Sequence, residues 1–199
     1  MRRFAGILIG AGLLAVMVPF ATAHFKLMAP TSWVIENNLG NPQKAAPCGG
    51  DTGMPSNVVT PVTGGSMLHI ALQETVYHPG HYRIALAVNS RDELPADPPV
   101  TTRDSAKGPI SVSAPIMNPV RPPVLADGLF QHTSKQAGPW ETDIRIPNIS
   151  CAKCTLQIME FMAEHGRNPQ GDYSYHHCAD LRITADPSKP MDTGWPAAR

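Results

Sequence analysis

An excess of charge of either sign is missing from this chain. Sixteen Lys and Arg stand against sixteen Asp and Glu in 199 residues. There is no electrostatic ground for a nucleic acid or an anionic membrane as partner. Aromatics are sparse, and three Trp and four Tyr make no broad stacking platform. Helical periodicity is scarce, while Pro and Gly number 21 and 16, which argues against a helical fold. No internal repeat and no second domain can be read. Of nine methionines, Met28, Met54, Met67 and Met117 lie singly. They do not make the cluster of soft thioethers that a Met-lined metal site needs.

What the chain does have begins with an apolar run. Arg2 and Arg3 precede an uncharged stretch from Phe4 to Phe20, which ends in Ala21-Thr22-Ala23. This is the pattern of a secretory signal, residues 1–23, with cleavage before His24. The run is too short for a stable membrane span, and no Cys at the cleavage point offers a lipid anchor. The expected location is therefore periplasmic or secreted. Without Arg2 and Arg3, 14 basic residues face 16 acidic ones. The rest suits one domain, residues 24–185, with a loosely held tail over 186–199, and a monomer is expected.

Cys48, Cys151, Cys154 and Cys178 are an even set in an exported chain, which argues for two disulfides. Three pairings are open; Cys48–Cys178 with Cys151–Cys154 is the one we favour. A zinc site is the poorer reading, because the Cys-x-x-Cys has no second close pair.

Short alternating segments bounded by turn residues recur. Met67 to Leu72 is one. In a second, Tyr82, Ile84, Leu86 and Val88 share a face opposite Arg83 and Ala85. Asp143 to Ile146, Thr155 to Met162 and Cys178 to Thr184 follow, and His24 to Pro30 adds an edge strand ended by proline. The fold class is all-β, an immunoglobulin-like or fibronectin-like antiparallel β-sandwich with long loops. Residues 36–66 and 90–142 read as those loops.

Eight histidines occur. His24 stands out by position, since cleavage before it would put a free amine and an imidazole in one residue. Together they can chelate one metal ion, and a further imidazole would complete three nitrogens, which suits Cu(II). His78, just before the Pro79-Gly80 turn, is the stronger partner. His81 reads as a surface strand residue, His69 as part of a solvated face, and His132 and His165 as loop residues. In "YSYHHCADLRI", residues 173–183, His176 and His177 read as a strand start or as donors that orient metal ligands.

These residues, taken in order, resemble lytic polysaccharide monooxygenases and their relatives. The resemblance lies in a signal cleaved before His24, in "HPGHYRI" from His78 to Ile84, and in "YHHCADLRI" from Tyr175 to Ile183. "CAKCTLQ", Cys151 to Gln157, is similar to a stretch of chitin-binding type-4 domains. The opening "HFKLMAPTSWVIENNLGNPQKAAPCGG" resembles a bacterial set of monooxygenase-like proteins, and the likeness spans most of the chain after the leader.

The resemblance implies one mononuclear copper in a histidine brace. His24 would be the bidentate ligand, His78 would give the third nitrogen and Tyr175 would be the axial aromatic. Gln157 and Glu160 would stand behind the ligands. It also implies oxidative cleavage of glycosidic bonds in a chitin- or cellulose-like polysaccharide, fed by an external electron donor. Val76 departs from the Ala that many relatives carry two residues before the second His. A related fungal group keeps the brace and a similar "PCGG" yet handles copper without oxidising polysaccharide. A copper carrier of the same fold is therefore the alternative. An exported immunoglobulin-like module with no metal is a third reading.

Overall fold

A computed structural model of the chain describes residues 23–106, 108–112, 114–166 and 173–197. Of the expected leader only Ala23 falls within them. Among the described residues the strands are β1 (His24–Ala29), β2 (Val59–Thr63), β3 (Met67–Val76), β4 (Gly80–Ala87), β5 (Thr101–Arg103), β6 (Ile110–Val112), β7 (Val124–His132), β8 (Trp140–Arg145), β9 (Cys151–Met162), β10 (Glu164–Gly166) and β11 (Ser174–Thr184). One sheet has the order β1-β3-β8, and the facing sheet has the order β2-β11-β9-β4-β7. Only β2, which runs parallel to β11, departs from antiparallel pairing there. A small sheet β10-β6-β5 completes the fold, an immunoglobulin-like β-sandwich as expected.

Alternation along each strand decides which side chains meet. Ile70 and Leu72 of β3 join Phe25 and Leu27 of β1 and Ile144 of β8. Against them pack Tyr82, Ile84 and Leu86 of β4, Leu156 and Ile158 of β9, and Ala179 and Leu181 of β11. The opposite face of the five-stranded sheet is covered too. There Ala85, Ala87 and Cys178 pack with Cys48 and Leu94. β4 is buried along its whole length, so His81 is not the surface residue expected.

Both favoured disulfides form, Cys48–Cys178 and Cys151–Cys154. The first closes a loop of 130 residues. In the chain-entropy account such a closure stabilises by about 4–5 kcal/mol.

Three expectations need correction. The first long loop contains β2. The second contains β7, whose alternation is broken at Asp127-Gly128. Gly128 and Phe130 have φ of 69° and 52°, and the pairing with β4 slips register repeatedly, so a sequence pattern cannot show it. The described part of the tail is pinned. The Asn148 side-chain amide donates to the carbonyls of Asp186, Lys189 and Pro190, and Asp192 accepts from Asn148 N at 2.6 Å.

Strand β1 is a sheet edge, so its outward backbone groups need partners from elsewhere. Side chains supply them. Gln43 Oε1 accepts from Phe25 N at 3.1 Å, and His177 Nε2 donates to the Phe25 carbonyl at 2.9 Å. Glu36 accepts from Leu27 N at 3.2 Å. Gly40 lets this loop approach: its φ is +92°, and a Cβ there would run into the Phe25 carbonyl oxygen.

Glu36 and His177 also face each other, Oε1 to Nδ1 at 3.1 Å, with 5% and 0% of their side chains exposed. Burial raises Glu36 to about 7, and burial lowers His177 to about 4. His177 Nε2 carries the hydrogen given to Phe25, and burial favours the uncharged form of both the ring and the Glu36 carboxyl beside it. The pair is neutral and holds one proton.

Two predictions follow from this edge. Gly40→Ala should lose about 2–4 kcal/mol of stability in denaturant unfolding, because it adds both a left-handed residue and a collision. The second concerns pH. The stabilising effect of Glu36's raised pKa is present below the unfolded value of 4.5 and lost as pH rises through about 7. That of His177 is present above 6.5 and lost as pH falls to about 4. Between these unfolded values each state carries one proton on the pair, and the slopes cancel. In Glu36→Gln only the His177 slope remains. Relative to the unchanged chain, its stability should rise by about 2 kcal/mol from pH 4.5 to 7.5; a pH-independent difference would contradict the neutral pair.

Candidate functional site

Strand pairing brings His24 and His78 to one end of the sandwich. His24 opens β1 and lies opposite Val76, the last residue of β3. The chain then crosses to the other sheet in three residues, Tyr77-His78-Pro79, before β4 starts at Gly80. Gly80 is needed there, because a Cβ would meet the Phe161 carbonyl on β9.

His78 is held on two sides. Its backbone N–H donates to Glu74 Oε1 at 3.1 Å. Its Nδ1 lies 3.0 Å from the Pro79 carbonyl. A carbonyl only accepts, so Nδ1 carries the hydrogen and the lone pair lies on Nε2. An imidazole that gives one N–H to a backbone carbonyl is fixed in tautomer and ring orientation, the state in which His ligates metals.

The facing sheet contributes an aromatic. Tyr82, Glu160 and Tyr175 occupy one row across β4, β9 and β11 and share the inner face. The Tyr175 ring is wholly buried, 5.4 Å from the His24 imidazole and tilted by 51°. On Tyr175 sits the Lys44 ammonium, 3.9 Å from the ring centroid.

Below these residues lies a buried acid and aromatic floor. Burial holds Glu160 well above the usual carboxylate range; the Glu74 charge adds to that, while the Lys44 charge and the nearby Tyr82 hydroxyl act against it. Burial, then the charges of Glu160 and Glu74, push the Tyr82 hydroxyl up as well. Glu74 Oε1, which holds His78, also lies 3.2 Å from His132 Nε2. Burial pulls the His132 pKa down, but the hydrogen bonds to Glu74 and to the Phe130 carbonyl, with the Glu74 charge, outweigh it and raise it. His132 therefore ties Glu74 to Tyr82 and Trp140, whose rings lie 6.4 and 5.0 Å away.

Gln157 is not brought to this corner. Its position on β9 has opposite parity to Glu160, so it points to the outer face, where Nε2 donates to the Pro47 carbonyl at 2.8 Å. His176 also faces outward, with Nε2 2.7 Å from Asp97. Reading by sequence missed Glu74, Lys44 and the position of His132, which is a strand residue opposite Gly80. Glu74 had a signal: it continues the inward parity of Ile70 and Leu72, where an apolar residue is the norm.

Among the described residues no group of three or more His, Cys, Asp and Glu gathers for a metal. Two imidazoles and a terminal amine are a smaller donor set, completed only by cleavage before His24. His78, with its lone pair on Nε2, and His24, at the same corner, fit a copper ion of that kind.

No family model and no curated protein sequence matches this chain. Its fold does match a solved structure, a lytic polysaccharide monooxygenase AA15 from Thermobia domestica in the Cu(I) state. The TM-score is 0.52 and the identity 18%, over 80% of this chain and 98% of that one. At that identity the likeness is one of fold: the chain shares the β-sandwich of that structure.

Proposed function

We propose that the exported chain, processed to begin at His24, is a copper-dependent oxidoreductase that cleaves glycosidic bonds of a polysaccharide. One observation carries the reading. The β1–β3 pairing sets His24 at the corner that also bears His78, and the Pro79 carbonyl fixes His78 with its lone pair on Nε2. The His24 amine and imidazole and the His78 Nε2 would hold the metal. Bound there, copper supplies one-electron exchange with an external donor and the activation of oxygen or peroxide for C–H oxidation beside the glycosidic oxygen.

The chain's own part is to hold these groups still. Glu74 and Pro79 fix His78, while Gln43, His177 and Glu36 fix the strand behind His24. Tyr175 fills one side with a ring that keeps water out. Burial favours the neutral form of Glu160 beneath. The amine must lose a proton to bind metal, and its pKa of ~7.7–8.0 in a free terminus makes affinity fall in acid.

Two measurements test the reading. Copper-loaded processed chain should give an electron paramagnetic resonance spectrum of three nitrogen ligands. One extra residue ahead of His24 should weaken binding by more than the ~10–100-fold that loss of an outer partner costs. With a reductant and peroxide, chitin or cellulose should yield oxidised oligosaccharides. Equal copper affinity in the extended chain would contradict the ligand set. Absence of oxidised products across a wide substrate panel would contradict the reaction.

A further inference from the structure

We infer that Lys44 is a fixed cationic arm beside the proposed copper corner, and that it strengthens the binding of small anions to the metal held there. The inference rests on the ligand reading above and goes beyond it. Lys44 belongs to the 36–50 segment, which sequence alone gives only as loop.

The backbone on either side of Lys44 is tied down. Gln43 is wholly buried: Oε1 accepts from Phe25 N, Nε2 donates to the Leu39 carbonyl at 3.0 Å, and its own carbonyl accepts from His176 N at 2.7 Å. On the other side, Gly49 N donates to the Ala45 carbonyl at 2.7 Å, and Cys48 is bonded to Cys178. A long side chain that rises from so fixed a base has few places for its head. The Lys44 head lies 3.9 Å above Tyr175, although the residue as a whole is exposed. Cation and ring attract through the ring's quadrupole.

Tyr175 links this cation to the candidate ligand. The ring that carries the ammonium is 5.4 Å from the His24 imidazole. The ammonium is therefore no farther from that imidazole than those two separations combined, inside the ~10 Å that 0.1 M salt leaves unscreened. Its field already reaches the fully buried Glu160, where it favours the ionised carboxyl.

Two imidazoles and a neutral amine bring no negative charge to a metal. An ammonium beside them adds to the attraction for any anion that takes an open position. An exposed lysine on an unanchored loop would do little, because solvent and chain motion would average its field. Here anchoring and the ring contact hold the charge in place. Lys44 is proposed to act through its field, as a positioning residue.

Azide binding to the copper-loaded processed chain tests this, followed by electron paramagnetic resonance and by the azide-to-copper absorption. The unchanged chain is compared with Lys44→Gln and Lys44→Arg. At low salt Lys44→Gln should bind azide about tenfold more weakly, and Lys44→Arg should keep most of the affinity. Sodium perchlorate at 1 M should remove the difference. Equal azide affinity in the unchanged chain and Lys44→Gln, with identical copper spectra, would overturn this inference and leave the proposed function standing. A three-nitrogen copper spectrum missing from the unchanged chain would overturn both.

Discussion

Strand β1 has a neighbour on one side only, so half of its backbone groups face away from any sheet. Phe25 and Leu27 turn those groups toward Gln43, His177 and Glu36, which come from the 36–50 loop and from β11. These bonds do what a third strand would do. The bond from His177 also stitches the β1-β3-β8 sheet to the five-stranded sheet, to which β11 belongs. The position of His24 follows from these bonds. In a chain processed before His24, as proposed, nothing ahead of the strand would steady it, and the side chains of Gln43, Glu36 and His177 would fill that role. Gly40 and the Cys48–Cys178 bridge serve the same contact, the first by its missing side chain and the second by closing the loop on β11.

Burial of titratable groups near the corner is handled in two ways. Glu36, Glu160 and His177 are pushed toward their neutral forms by burial. His132 differs: both ring nitrogens face acceptors, the Phe130 carbonyl and Glu74, and the charged ring is favoured. Neutral acids around one ionic contact avoid the large penalty of an uncompensated buried charge. Among the described residues no group of three or more acidic side chains gathers at the corner, whereas a hard cation such as Ca²⁺ asks for several oxygen ligands.

Much of the fold was legible in the sequence because a sheet with one solvent face writes a period of two. The strand around Met67 to Leu72 was readable for that reason, and so was the edge strand at His24; Thr155 to Met162 still alternates in sequence although both its faces are covered. Strand β7 was not, since Asp127 and Gly128 interrupt its alternation and positive φ angles bend it. The second layer over β4 was equally hidden. Its cover comes from residues far away in sequence, and His81 reads as a surface residue although every position of β4 is buried. For the candidate site, position and resemblance named His24, His78 and Tyr175, and the fold sets His24 beside Tyr175 and at the same end of the sandwich as His78. Gln157 was misplaced by parity: three residues from Glu160 on a strand is the opposite face. Glu74 and Lys44 owe their positions to contacts between distant segments, which no local spacing encodes.

A crystal structure of the copper-loaded, processed chain, with anomalous scattering collected at the copper edge, addresses the central claim most directly. The account requires one anomalous peak bound by the His24 amine, a His24 ring nitrogen and the Nε2 of His78, with Tyr175 on one side. A peak held by other residues, or His78 bound through the Nδ1 that meets Pro79, would contradict it.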